Sequence, residues 1–339
     1  MRDKKRFNSA LAPYFALYLD EQQKKGIKNT SGYVGTFRSF DTYLTVTEHK
    51  GLIITEDVYS GWLDSQDHLK ALTRYSNACC IIRFLKFMNE LGHGCCVPRP
   101  PKAEHCDFVP FVFSDDEFAR ILKATDEWRD MNEQPNSCAL VVPSIVRLMY
   151  STGMRIGEAL SINNRDIDFD RRVIHVHDTK NKCDRLSPIN ESLEKVLRQY
   201  IDYRNRMPME HIADPDAPFF VNLRGKRCHE ATILNRFHLI LDKAGIQVAS
   251  NGYRARLHDI RHTACVHAMS KLVMSGMDIY CSLPLLAAFM GHLHVKDTED
   301  YVRLTRDMYP ELISQDLSVT SSIRDVIINA AIDEANGIL

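Results

Sequence analysis

The chain has 339 residues, 45% hydrophobic and 26% charged, which is enough apolar material for two ordinary cores and too much for a disordered tail protein. Its formal net charge is −1, about +4 over residues 1–100 and −5 over the rest, so it is not a uniformly basic polyanion binder and any nucleic-acid surface has to come from local clustering. Ten cysteines, with adjacent pairs at Cys79-Cys80 and Cys95-Cys96, do not form a disulfide framework, and no signal peptide or long apolar run is recognisable, so the expectation is reduced thiols, a cytoplasmic setting and no membrane. His93, Cys95, Cys96, His105 and Cys106 lack the paired CxxC spacing that would argue for zinc.

Residues 1–97 read as helical throughout. Ala10 to Gln23 carries Leu11, Tyr14, Phe15, Tyr18 and Leu19 at helical intervals, with Gly26 placed to stop it, and Ser31 to Leu44 repeats the pattern with Tyr33, Val34, Phe37, Phe40 and Tyr43. A third helix is expected from about Thr55-Glu56-Asp57 and a fourth over Ala71 to Leu91, closed by Gly92 and Gly94. The aromatics read as core. Lys24, Lys25, Lys28, Arg38, Lys70, Arg74 and Lys86 lie between them and, on their own, read as solvated faces.

Val97-Pro98-Arg99-Pro100-Pro101-Lys102 cannot be helix or central strand, so residues 98–108 read as a linker and 109–339 as a second domain. That domain resumes at Ser114, a helix cap with Glu117 reaching back. Short β-prone runs at Val173 to Val176, Arg185 to Pro188 and Phe219 to Val221 predict a small antiparallel sheet in a mainly α domain, with the first two forming a hairpin whose tip carries Lys180. His175-x-His177 and His292-x-His294 read as exposed histidines and as part of a longer motif, not as metal ligands. Ile323, Val326, Ile327, Ala330, Ala331 and Ile332 place an apolar stripe on an expected helix over about 321–336.

Tyr301 by itself reads as a half-buried tyrosine with its hydroxyl at the rim; a phenol can also be a nucleophile if cations lower the cost of its charge. Upstream lie Arg155, in the run Ser151-Thr152-Gly153-Met154-Arg155-Ile156-Gly157-Glu158; Lys180; His258 and Arg261, three apart; and His292 after Gly291. Glu158 reads equally as the partner that orients Arg155 or as an ordinary surface carboxylate.

This ordered set, Arg, Lys, His-x-x-Arg, His, Tyr, resembles the tyrosine recombinases of the phage integrase family. Leu148 to Phe169 is similar to the family's first arginine box, TKNKCDRLSPI to its lysine segment with Lys180 a better match than Lys182, Leu257 to Arg261 to its His-x-x-Arg box, and Phe289 to His292 to its leucine-glycine-histidine box with Met290 replacing leucine. The resemblance implies the DNA breaking-rejoining fold, a two-domain C-shaped clamp on double-stranded DNA, with the basic residues of the N-terminal helices facing the duplex. It also implies a homotetramer, a Holliday junction and a C-terminal helix exchanged in trans between protomers.

The residue types suit that chemistry. Arg155 and Arg261 can offer planar forks to the non-bridging oxygens, His258 and His292 can donate hydrogen bonds or move protons, and Lys180 is the candidate acid for the departing 5′ oxygen, leaving a 3′ phosphotyrosyl bond to Tyr301. The bond energy is retained, so no cofactor and no metal is required. A helical pattern that begins by residue 10 implies no separate arm-binding domain, which leaves a transposon-type or a chromosome-dimer-resolving enzyme; the N-terminal half does not match the latter in detail, which favours a bacterial mobile-element enzyme, nucleoid-associated when bound and with possible accessory recombination proteins. The alternatives are Xer-type resolution of chromosome dimers, a type IB topoisomerase, and a non-catalytic DNA-binding factor of the same fold.

Overall fold

Apolar residues at three- and four-residue intervals turn one stripe of each N-terminal segment inward. The computed structural model, which describes residues 7–27, 30–102, 109–128, 137–177, 184–246 and 252–309, shows what those stripes meet. The chain divides into two units, Met1–Phe108 and Val109–Leu339.

Among its described residues the first unit holds four helices: α1 Ala12–Lys24, α2 Ser31–Val46, α3 Glu56–Asp64 and α4 Ala71–Glu90. Pro13 sits in the first turn of α1, where a missing N–H costs nothing, and Gly26, at φ +88°, takes the left-handed turn beyond its end. The aromatic positions expected to be core are core. The Phe15 ring lies 4.8 Å from both Phe37 and Phe84, and Trp62, wholly buried, packs against Phe40 at 5.1 Å. Buried Asp41 accepts the backbone N–H groups of Asn8 and Ser9 and the Ser9 hydroxyl, which satisfies its charge and pins the start of the chain to α2.

The second unit carries α5 Asp115–Asp126, α6 Val142–Thr152, α7 Ile156–Ser161, the strands β1 Ile167–Asp168, β2 Val173–Val176 and β3 Arg185–Pro188, then α8 Glu191–Asn205, α9 Glu230–Lys243, α10 Asp259–Met274, α11 Ile279–Met290 and α12 Lys296–Met308. Ser114 and Glu117 form the expected reciprocal cap on α5. The sheet is antiparallel in the order β1-β2-β3, with Val176 opposite Arg185, so residues 178–183 join the two strands beyond that pair.

Phe219 to Val221, expected as a strand, makes only isolated bridges, and the third strand is β1, paired to the other edge of β2. Its backbone partners are scattered, with Phe219 N donating to Ile162 O and Cys228 N to Phe220 O, and α8 supplies the other hydrogen bonds. The Tyr200 hydroxyl accepts from Val221 N and donates to Phe219 O, and Arg204 also donates to Phe219 O, so the buried backbone is satisfied without a continuous strand ladder. The expected helix at about 321–336 lies outside the described residues.

A main core runs from Phe113 through Ile145, Phe220 and Phe237 to Ile260. A second cluster joins α10, α11 and α12 through Cys265, Met269, Leu286, Met290, Tyr301 and Leu304. Helix α10 lines both, with Ile260 of its first turn in the main core and Cys265 and Met269 further along in the second cluster. No helix among the described residues is long and apolar enough to cross a membrane.

Candidate active site

Glu158, which the sequence left between orienting partner and surface carboxylate, is buried at the centre of a guanidinium cluster. Arg155 is the N-cap of α7, and Glu158 one turn on accepts both its backbone N–H at 3.1 Å and its Nη1 at 2.8 Å. The same carboxylate accepts Arg185 Nη2 at 2.9 Å, from the first residue of β3. Burial alone would raise the Glu158 carboxyl, but the bonds from Arg185 and then Arg155 outweigh it and hold it below its ordinary range. Arg185 was not singled out as a site residue. Its Nε and Nη1 are buried and find no hydrogen-bond partner among the described residues.

Gly291 is required at this point twice over. It ends α11 at φ +66°, and a Cβ there would stand 2.9 Å from Arg185 Nη1 and 3.0 Å from its Cδ and Cζ. The glycine of the leucine-glycine-histidine box is therefore what lets the Arg185 side chain lie against the end of α11.

Arg261 is only 1% exposed, deeper than a residue that simply offers a fork to solvent. Nη1 donates to Gly153 O at 2.6 Å and Nη2 to Met290 O at 2.7 Å, so the side chain ties together the C-terminal ends of α6 and α11, where a cation is favoured by the exposed carbonyl ends of the helices. Burial, and then the charge of Arg155, push it down to about 10, which leaves it cationic at neutral pH. Two of its five N–H groups are used in this way. Three guanidinium groups, Arg155, Arg185 and Arg261, thus surround a single carboxylate, an excess of positive charge suited to an anion.

Tyr301 is 4% exposed, its ring packed into the second cluster. Its hydroxyl lies 3.0 Å from His262 Nδ1. The His292 ring is nearly parallel to the tyrosine ring, with centroids 6.2 Å apart at 20°, and His292 Nδ1 is 2.9 Å from the hydroxyl of buried Thr298. His258 stands at the N-cap of α10 with an exposed edge, its ring edge-on to His262 at 4.9 Å. Desolvation, followed by Arg261, lowers the His258 imidazole from its usual value; desolvation, followed by His258 and Arg256, pushes His262 down to about 3.

Five of the six candidate catalytic residues therefore converge: Arg155, His258, Arg261, His292 and Tyr301. Lys180 lies outside the described residues. His262 was missed, although a signal existed: His258 and His262 are four apart, which puts both rings on one helix face.

Of the basic residues in the first unit, Lys24 pairs with Asp20 at 2.7 Å, Lys25 with Glu21, and Arg74 with Asp64 and Asp67 at 3.2 and 2.6 Å. These are local ion pairs on helix surfaces. Arg38, Lys70 and Lys86 are exposed, and Lys28 is outside the described residues. His177 is held by Asp184 at 2.9 Å, across the base of the β2–β3 hairpin. Among the described residues no group of three or more His, Cys, Asp or Glu side chains is arranged to hold a metal ion.

Residues 112–308 match the phage integrase family. The tyrosine recombinase XerC of Chlamydia caviae is 30% identical over 238 residues, 70% of this chain and 66% of that protein. An integrase/recombinase of Sinorhizobium fredii is 28% identical over 216 residues, 63% of this chain and 66% of its own length. Over the first relatives the chain thus spans between about half and just under two thirds of their length. Among solved structures, the fold is shared with the XerH site-specific recombinase in a post-cleavage complex with its difH substrate (TM-score 0.63, 16% identity, 84% of this chain and 78% of that one). It is also shared with the Tn1549 transposon integrase in complex with a circular intermediate DNA (TM-score 0.60, 17% identity, 85% and 94%).

Proposed function

Since the chain belongs to the phage integrase family, we propose that it is a site-specific DNA recombinase that cuts and rejoins strands through a covalent bond between Tyr301 and a 3′ phosphate. The observation that carries this reading is the Tyr301 hydroxyl 3.0 Å from His262, with the His292 ring stacked on the tyrosine, His258 packed against His262, and Arg155, Arg185 and Arg261 gathered close by with Glu158. A phosphodiester is already anionic, and attack by a phenol oxygen gathers more charge on the non-bridging oxygens. Fixed cations that need no reorganisation are the effective stabilisers of that charge.

Arg155 is the guanidinium with the more accessible side chain and takes one oxygen, its geometry set by Glu158; the remaining N–H groups of Arg261 take the other from below. His258 and His292 serve as hydrogen-bond donors to the phosphoryl group. Lys180, which lies in sequence between β2 and β3, gives its proton to the departing 5′ oxygen. In rejoining, a 5′ hydroxyl attacks the phosphotyrosyl bond and Tyr301 leaves.

In this reading residues 1–97 form a helical DNA-binding domain, 98–108 a linker and 109–339 the catalytic domain. The two domains close on a duplex as a clamp, with Lys24, Lys25, Lys28, Arg38, Lys70, Arg74 and Lys86 contributing to its face. Four copies assemble on two recombination sites, each passing its segment of about 321–336 to a neighbour. Deleting residues 320–339 abolishes assembly on DNA; truncated protein that still forms tetrameric synapses would sink that part.

The biological task in this reading is integration and excision of a mobile element. The likeness to XerC proteins supports a second reading, resolution of chromosome dimers. Circular excised DNA, detected by amplification outward from the gene's flanks, separates the two.

The test of the reaction class is a denaturing gel for protein–DNA adduct on nicked suicide duplexes made from the DNA flanking the gene. Wild type forms the adduct and Tyr301→Phe, still folded and still binding, does not. Adduct in both would remove Tyr301 as the nucleophile.

A further inference from the structure

We propose that His262 is the proton acceptor for Tyr301, an inference that rests on the recombinase reading above and adds to it a catalytic residue outside the matched motif positions. The geometry points to it directly: Nδ1 of His262 is 3.0 Å from the oxygen that attacks phosphorus. Neither other imidazole is placed in the same way. His292 presents its ring face to the tyrosine and its Nδ1 to Thr298, and His258 lies across His262, edge-on to that ring.

With the phenol donating its hydrogen to Nδ1, the oxygen lone pairs are left directed away from the imidazole, as a nucleophile needs. As Tyr301 Oη bonds to phosphorus, its proton passes to His262 Nδ1, the bond from phosphorus to the 5′ oxygen breaks, and that oxygen takes a proton from the acid of the site. In rejoining, the 5′ hydroxyl returns its proton to the acid, the bond from phosphorus to Tyr301 breaks, and His262 gives the proton back to the phenol oxygen.

The charges around His262 make this transfer depend on DNA. His258 and Arg261 on α10, Arg256 just before it, and His292 after α11 all face the ring, and with desolvation they keep the imidazole neutral at working pH. In the free protein a proton moved to His262 would meet the guanidinium groups of Arg256 and Arg261. A bound phosphodiester brings a negative charge into the same cluster and offsets them. The tyrosine is therefore kept protonated until a phosphate is in place.

The test uses the full chain on the suicide duplex, with DNA binding checked for each variant. His262→Ala slows adduct formation by about 10²-fold or more, and added imidazole restores part of the rate. His262→Asn, which can accept the hydrogen bond but not the proton, stays as slow as His262→Ala. On the wild-type protein, ¹⁵N spectra of labelled histidine show His262 with unprotonated Nδ1, and Tyr301→Phe shifts that resonance. Adduct formation by His262→Asn within threefold of wild type, or an Nδ1 that carries the proton, overturns the proposal and leaves the recombinase reading standing. Absence of adduct from the wild type itself, with binding intact, removes the reading and this inference with it.

Discussion

Replacing Glu158 by Gln keeps the shape of the central side chain and removes its charge. Glu158 is 6% exposed, and the Arg185 side chain it pairs with is 11% exposed, so the change leaves a buried guanidinium facing two others with no carboxylate between them. Breaking a buried pair by removing one partner costs roughly 3–5 kcal/mol. Arg155, with 26% of its side chain exposed, regains some solvent and screening, so the lower end, about 3 kcal/mol, is the expectation for the second unit.

The chain has two tryptophans, Trp62 in the first unit's core and Trp128 in the second unit, so urea unfolding followed by fluorescence in a Trp62→Phe background reports the second unit. The sign of the pH dependence is a further check. The Glu158 carboxyl is held below its ordinary value of 4.5, so its contribution is fully present above about pH 4.5 and is lost as pH falls through the folded-state value. The difference between wild type and Glu158→Gln should therefore close on acidification. A loss under about 1 kcal/mol at pH 7, or a difference that widens as pH falls, would refute the assignment of Glu158 as the organiser of the arginines.

Two other outcomes are expected. Gly291→Ala forces a side chain into the left-handed region and against Arg185, and should destabilise the second unit by roughly 1–3 kcal/mol in the same urea assay, with a parallel loss of adduct formation. His262 is held far below its unfolded value of 6.5, so stability is present above pH 6.5 and is lost progressively as pH falls from there towards about 3. His262→Gln should flatten that slope, which thermal melts between pH 7 and pH 4 will show.

Much of this protein was legible in the order of its residues. The helices of the first unit follow from apolar spacing, because an α-helix repeats every 3.6 residues and any stripe at that period has to be buried. The Ser114–Glu117 cap and the β2–β3 hairpin were legible for the same reason, since both partners lie within a few residues. Arg155, His258, Arg261, His292 and Tyr301 were legible as motif spacings in the chain, without any knowledge of what each one touches, whereas Arg185 and His262 were not.

What the tertiary structure decided are the partners far apart in sequence. Glu158 bonds Arg185 across 27 positions, and Tyr301 meets His262 across 39. Arg261, which looks like any surface arginine in its motif, is buried because the ends of α6 and α11 happen to cross over α10 and need their carbonyls satisfied. Phe219 to Val221 has the composition of a strand, but the Tyr200 hydroxyl and Arg204 reach its backbone first. Local periodicity is written in the chain because it depends on neighbours. Which donor satisfies a buried group depends on how whole elements pack, and no short window of sequence contains that.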